Sequence, residues 1–134
     1  MGNNWKITDT LTKVFADEVP DGQGSIRLST LHRETVSCVI VYFGAADWGR
    51  YWKVSVKAPE KIETRLRRVE LVPSAYPCHK EQDDNYLRIV PGMYPDLLRD
   101  LGTEGDGADK KYLTKEVPGQ WRSLWLDVTV DAEL

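Results

Sequence analysis

The sequence of 134 residues lacks the features that several classes of protein require. It has two cysteines, Cys38 in an apolar stretch and Cys78 beside a proline. Two cysteines in a chain of this size do not form a disulfide framework. No apolar run approaches the roughly 18 to 20 residues that span a bilayer. The first residues also lack the basic flank and apolar stretch of a secretion signal. We therefore expect a cytoplasmic protein.

The chain has no excess of positive charge. Its formal net charge is −3, and its lysines and arginines are interspersed with acids. Phosphate backbones and anionic lipids bind clustered positive charge, so we expect neither nucleic acid nor a membrane as partner. The one local basic cluster is Arg65, Arg67 and Arg68, flanked by Glu63 and Glu70. Mixed signs on a strand favour cross-strand charge pairing, and anion binding is the alternative.

The motifs that carry catalysis or hold cofactors are also missing. There is no Gly-x-Ser-x-Gly elbow and no phosphate-binding glycine loop. The pair Cys78-His79 lacks the spacing of a zinc site. The neighbours Asp17 and Glu18 would point to opposite sides of an extended chain, so they cannot converge on one bond. The acids Glu81, Asp83 and Asp84, with Asn85, lack the glycine and distal glutamate of a calcium loop. We expect no catalytic residue, metal or cofactor in this chain.

The chain does contain many short segments in which apolar and polar residues alternate, which is typical of strands with one buried face. The predicted strands cover residues 11–15, 25–31, 36–43, 52–57, 62–72, 86–90 and 123–130. Residues 36–43 are apolar on both faces, which favours a central strand, covered on both sides, as the middle of the sheet. In residues 62–72 the apolar parity changes, which predicts a bulge near Arg67 and Arg68.

The remaining segments complete the fold prediction. Residues 32–34 are expected to turn strand 25–31 back into strand 36–43 as a hairpin. Residues 95–101 resemble one or two helical turns between Pro95 and Gly102, and residues 102–111 are predicted to be a loop. We therefore expect residues 1–134 to form a single domain. The expected fold is an all-β antiparallel sandwich of about seven strands, with at most one short helix.

The aromatic residues are the best candidates for contacts with other molecules. The chain has five tryptophans and six tyrosines, more than a small core needs. Trp125 falls on the polar face of its predicted strand, and Trp48, Tyr51 and Trp121 lie in or beside predicted loops. Such side chains pack under their own loops, bury into a partner domain or stack on sugars. The sequence leaves these three uses open.

Four motifs in a fixed order carry a resemblance to a known family. They are residues 11–18 (LTKVFADE), a hairpin turn at Arg33-Glu34, residues 93–98 (MYPDLL) and residues 119–128 (GQWRSLWLDV). In this order they resemble the N-terminal domain of glycoside hydrolase family 123 over nearly the whole chain. The resemblance implies a β-sandwich followed by a (β/α)-barrel. In that family the barrel carries the Asp and Glu that cleave β-linked N-acetylgalactosamine, and this chain contains no such barrel.

The resemblance implies that this chain is a non-catalytic accessory domain, which packs against a C-terminal catalytic barrel of the same polypeptide. Under that interpretation Tyr94 and Trp125 are the expected domain contacts. The alternative is a free-standing module that binds a glycan or a protein, with Trp48, Tyr51 and Trp121 as the expected contacts.

The end of the chain departs from the family pattern. The family's sandwich continues into a further strand, whereas this sequence stops at residues 131–134. We therefore expect a fragment of a longer glycosidase, with a sheet edge that is unpaired or pairs with a second copy.

Overall fold

The computed structural model describes residues 5–44, 51–75, 90–101, 103–104 and 109–130. These residues form eight strands: β1 (Trp5–Thr8), β2 (Thr35–Phe43), β3 (Tyr51–Lys57), β4 (Ile62–Ser74), β5 (Gly92–Asp100), β6 (Thr103–Glu104), β7 (Asp109–Lys115) and β8 (Trp121–Val130). The described ranges contain no helix, and so none that could cross a membrane. The prediction of an all-β fold is confirmed.

The strands form two antiparallel sheets that pack face to face. The larger sheet has the order β1-β2-β8-β4-β5, and the smaller has the order β3-β7-β6. Between them lies a core of Tyr42, Leu66, Tyr112 and Leu124, each at most 5% exposed. Trp52, Val54 and Val56 of β3 pack against this core, as their alternation predicted. The molecule is a β-sandwich because each sheet has an apolar face to remove from water.

The larger sheet is covered on its second face as well. Val39 and Val41 of β2 point away from the smaller sheet and pack against Val14, together with Trp121 and Trp125 of β8. This second cluster explains why residues 36–43 are apolar on both faces. The prediction that this strand is covered on both faces is confirmed. The prediction that it is the middle of the sheet is wrong, because β8 lies in the middle and β2 lies between β1 and β8.

Two predicted strands near the N-terminus are wrong. Residues 11–15 contain no strand, since Oδ1 of Asp9 accepts the backbone N–H groups of Leu11 and Thr12, both at 3.0 Å, and turns the chain. Residues 25–31 are irregular as well, so they form no hairpin with β2. The first strand is instead β1, whose Ile7 is bridged to Gln23 by two backbone hydrogen bonds. Local alternation was present in both segments, but neither forms a ladder of hydrogen bonds with a neighbouring strand.

The predicted helical turn at residues 95–101 is also wrong. Residues 95–100 lie in β5, which pairs with β4 and forms one edge of the larger sheet. The register shifts between Glu70 and Leu71, and Pro95 is paired with Leu71 at this irregularity. An edge strand and a bulge are the positions where a sheet tolerates proline. Pairing with β4 therefore outweighs the local helix pattern.

Two further predictions need correction. The bulge of β4 is not at Arg67-Arg68, because its pairing with β8 runs without interruption from Ile62 to Val69. The parity of the apolar residues changes there because both faces of the sheet are covered, so that Leu66 faces one cluster and Val69 the opposite side. Residues 102–111 include β6 and the start of β7, so they are not all loop. Residues 86–89 of the predicted strand 86–90 lie outside the described ranges.

Candidate functional site

A network of polar side chains lies on the face of the larger sheet that turns away from the smaller sheet. Its centre is Asp127 of β8. Oδ1 of Asp127 accepts the hydroxyl of Ser37 at 2.5 Å and the indole N–H of Trp125 at 2.8 Å. Its Oδ2 accepts Nη2 of Arg67 at 2.7 Å. The carboxylate thus ties together β2, β4 and β8.

The surroundings of Asp127 favour its charged form. Burial by itself would raise the pKa of this carboxyl. The hydrogen bonds from Ser37 and Trp125, together with the charge and hydrogen bond of Arg67, outweigh burial and hold the pKa below its ordinary value. A carboxylate with three donors is satisfied by the protein itself, so we assign this network a structural role.

Four other charged side chains lie on the opposite face of the same strands. Nε of Arg68 donates to Oε1 of Glu70 at 2.8 Å, and Nη2 of Arg68 contacts the same oxygen. Nε of Arg99, on β5, lies 3.7 Å from that oxygen. Arg122 of β8 interacts electrostatically with both Glu70 and Arg68. We call Arg68, Glu70, Arg99 and Arg122 the arginine cluster.

Arg122 is the most constrained member of the cluster. Its Nη2 donates to Oε1 of Gln120 at 2.8 Å, but its Nε is buried without a hydrogen-bond partner among the described residues. Burial lowers the pKa of Arg122, and the negative charge of Glu70 partly offsets this. The sequence analysis grouped Arg65, Arg67 and Arg68, yet alternation sends Arg65 and Arg67 to the other face. It missed Arg99 and Arg122, because only the strand register brings them beside Glu70.

The predicted aromatic contacts on β8 lie within the domain. Trp125 is half-buried against the second apolar cluster, with its N–H bonded to Asp127. Trp121 packs against the same cluster, and its ring centroid lies 5.2 Å from that of Phe43. Nζ of Lys6 sits 5.5 Å from the Trp121 ring centroid. Both tryptophans therefore have a clear role in the packing of this domain.

The other predicted contacts differ in exposure. Tyr51 is 65% exposed at the start of β3, and Nζ of Lys115 lies 5.6 Å from its ring centroid. Tyr94 is half-buried on β5, where its ring meets that of Phe15 edge to face at 5.7 Å. Trp48 lies outside the described residues. The structure thus spreads these candidates over separate regions and does not gather them into one described platform.

The edge strand β5 exposes apolar side chains. Met93, Leu97 and Leu98 are 47%, 46% and 36% exposed. Beside Leu98 lies a cleft of about 190 Å³, with walls that include Val14, Val69, Leu98 and Trp125. Lys13 and Asp96 also border this cleft. An apolar strand with a small cleft beside it is typical of a surface that packs against another protein segment.

A wider groove of about 720 Å³ lies at the start of β4, and its polar groups pair with one another. Arg65 forms a salt bridge with Asp100 at 2.7 Å, and Nζ of Lys110 donates to the backbone carbonyl of Thr64 at 2.8 Å. Because β5 pairs only with Arg67–Ser74, this part of β4 is a sheet edge. Lys110 caps it, as charged side chains often do at exposed edges.

The described residues hold no group of three or more His, Cys, Asp or Glu side chains that could bind a metal. Cys38 is a free thiol in β2, and its burial raises its pKa. Asp17 and Glu18 lie in and beside a turn, outside the strands.

Comparisons with protein-family models and with curated proteins find no relative of this chain. The chain matches no protein-family model, and a search of curated proteins finds no significant match. The fold is a two-sheet antiparallel β-sandwich. Since no comparison tests it, the resemblance to glycoside hydrolase family 123 stays a prediction.

Proposed function

We propose that this chain is the non-catalytic accessory domain of a glycoside hydrolase that acts on β-linked N-acetylhexosamine glycans, and that it packs against a following catalytic (β/α)-barrel through β5. The order of motifs in the sequence supports the assignment to a glycosidase. The structural observation that carries the docking role is the apolar surface of β5 with its adjoining cleft.

The surface of β5 suits packing against a domain better than free exposure to water. Leu97 and Leu98 pair with Glu70 and Val69, so their side chains stand on opposite faces of the strand. A barrel that contacts the edge of β5 would bury apolar area from both faces, at about 25 cal/mol per Å². Tyr94 lies on the same strand, which agrees with its predicted role as a domain contact.

The same strand is poorly suited to pairing with a second copy of itself. Pro95 removes a backbone donor, and Asp96, Arg99 and Asp100 are charged. Prolines and charges on edge strands oppose strand-to-strand association. We therefore favour a contact made by side chains with a barrel, and self-association stays a prediction that size-exclusion chromatography tests.

The decisive experiment compares this domain alone with a longer protein that includes the barrel. Leu97→Ser should lower the stability of the longer protein by about 1 to 2 kcal/mol more than that of the isolated domain, since the side chain becomes buried only in the contact. Leu113→Ser is the matched control, because Leu113 is 48% exposed on β7 of the other sheet. Equal effects of Leu97→Ser in both proteins would contradict docking through β5.

Two further measurements test the rest of the proposal. The isolated chain should not hydrolyse aryl N-acetylgalactosaminides, and turnover that responds to mutation would refute a non-catalytic role. An NMR titration with N-acetylgalactosamine should leave the resonances of Tyr51, Trp48 and Trp121 unchanged. Saturable shifts at these residues would favour the alternative, a free-standing carbohydrate-binding module.

A further inference from the structure

The arginine cluster has more positive charge than the described residues near it neutralise. The guanidinium groups of Arg68 and Arg99 contact the single carboxylate of Glu70, and Arg122 interacts with it electrostatically from the neighbouring strand β8. Two positive charges remain in excess. Like charges held this close repel one another, and partial burial strengthens the repulsion because little water screens it.

The other arginines of β4 show that such an excess is not general in this sheet. Arg65 pairs with Asp100 at 2.7 Å, and Arg67 pairs with Asp127 at 2.7 Å. Each of these guanidinium groups has its own carboxylate. Among the described residues of this sheet, Arg68, Arg99 and Arg122 are the guanidinium groups that share one acid.

The arginine cluster also has an N–H donor without a described acceptor, and one of its members is exposed to water. The Nε of Arg122 is buried and makes no hydrogen bond with a described residue, as is also true of the Nε of Arg67 on the other face. The side chains of Arg68 and Glu70 are 24% and 15% exposed, whereas that of Arg99 is 64% exposed. A small anion could therefore reach the cluster from the side of Arg99. Guanidinium groups bind oxyanions through paired N–H donors, which gives geometry as well as charge.

We propose that Arg68, Arg99 and Arg122 form a binding site for a dianionic oxyanion, a phosphate or sulfate group. The two charges of the anion balance the excess of the cluster, and Glu70 holds Arg68 and Arg99 at its border. The buried Nε of Arg122 supplies a donor at the inner end of the site. The site can be tested in the isolated chain, where no second domain covers Arg99 on β5.

Titration of the isolated chain with sodium sulfate, with sodium chloride at matched ionic strength as reference, tests the site. The resonances of the arginine Nε–H groups are followed by ¹H–¹⁵N NMR. Sulfate should produce saturable shifts at Arg68, Arg99 and Arg122, and chloride should not. Inorganic phosphate should give the same pattern. Equal, non-saturating shifts with sulfate and chloride would overturn the proposal.

Two variants separate a specific site from general attraction of anions. Arg99→Gln should weaken sulfate binding about three- to tenfold, the effect of losing one charged donor at a solvent-exposed position. Arg65→Gln is the matched control, because Arg65 is also exposed but pairs with Asp100 on the other face. It should bind sulfate like the unaltered chain. An equal loss in both variants would show that net charge alone attracts the anion, and would refute the site.

Discussion

The indole N–H of Trp125 donates to Oδ1 of Asp127, two residues further along β8, at 2.8 Å. Side chains two positions apart on a strand stand on the same face, so this bond needs no distortion of the backbone. It fixes the indole against the second apolar cluster and gives the Asp127 carboxylate one of its three donors. The face of β8 that carries Trp125 and Asp127, which the sequence analysis took for its polar face, is therefore packed within this domain.

Asp127→Asn should lower the free energy of unfolding by about 1 to 3 kcal/mol at neutral pH, because it removes the charge that holds Arg67 and disturbs two more hydrogen bonds. The measurement is urea unfolding followed by circular dichroism. Asp96→Asn, on the exposed edge strand, is the control and should change stability by less than about 0.5 kcal/mol. A neutral result for Asp127→Asn would mean that the network adds no net stability.

The stability of the unaltered chain should also depend on pH through Asp127. Its pKa in the folded chain lies below its ordinary value, so the unfolded chain binds the proton more readily. The contribution is complete above the unfolded pKa, about 3.9, and is lost as the pH falls through the folded value. Urea unfolding between neutral pH and strongly acidic pH should therefore show a smaller acid-dependent loss in Asp127→Asn. Identical pH profiles would contradict the lowered pKa.

Trp125→Ala should destabilise the isolated chain by about 2 to 4 kcal/mol, since it removes packing against Val39 and Val41 as well as a hydrogen bond. Tyr51→Ala tests an aromatic residue that is 65% exposed and should cost less than about 1 kcal/mol. Chemical denaturation measures both values. Similar small losses in the two variants would place Trp125 outside the core.

Tyr42→Phe should cost about 1 kcal/mol, because the Tyr42 hydroxyl is bonded to the buried hydroxyl of Thr114 at 3.2 Å and so links the two sheets. A double-mutant cycle with Thr114→Val should give a coupling energy of similar size. Tyr112→Phe is the control within the same core, since no hydrogen bond of its hydroxyl is seen among the described residues. Additive effects of Tyr42→Phe and Thr114→Val would show that the bond contributes nothing.

Gly44→Ala should destabilise the fold by about 1 to 3 kcal/mol. A Cβ at this position would lie 2.0 Å from the backbone oxygen of Val117, so one of the two chain segments must move. The backbone hydrogen bonds of Gly44 to Gln120 and Gly119 would weaken as a result. Gly24→Ala is the control, because nothing lies within 4 Å of its added Cβ. Equal melting temperatures for the two variants would contradict this close approach.

The strands that could be predicted are those whose burial follows a local pattern. In β3, Trp52, Val54 and Val56 alternate with lysines and serine, and the structure buries that face. The prediction failed where a pattern formed no ladder with a neighbouring strand, as in residues 25–31, or where pairing overrode a helical pattern, as around Pro95. Alternation reports which side of a segment is apolar, but does not report whether a neighbouring strand exists.

The candidate sites could be predicted only in part, for a related reason. The sequence identified Arg68 as part of a basic cluster, but grouped it with Arg65 and Arg67, which are neighbours in the chain and lie on the opposite face. Arg99 and Arg122 are distant in sequence from Glu70. Register between strands, which no short window of sequence encodes, decides that they meet.

The sequence by itself determined that this protein is an antiparallel β fold, because the alternation of apolar residues is a local property that strands with a buried face require. The tertiary structure decided how the strands are arranged in two sheets, and that the larger sheet is covered on both faces. It also decided that β5 is an edge strand with exposed leucines, and that the arginine cluster exists. These features depend on which strands pair and in which register, and that choice is made by packing over the whole chain.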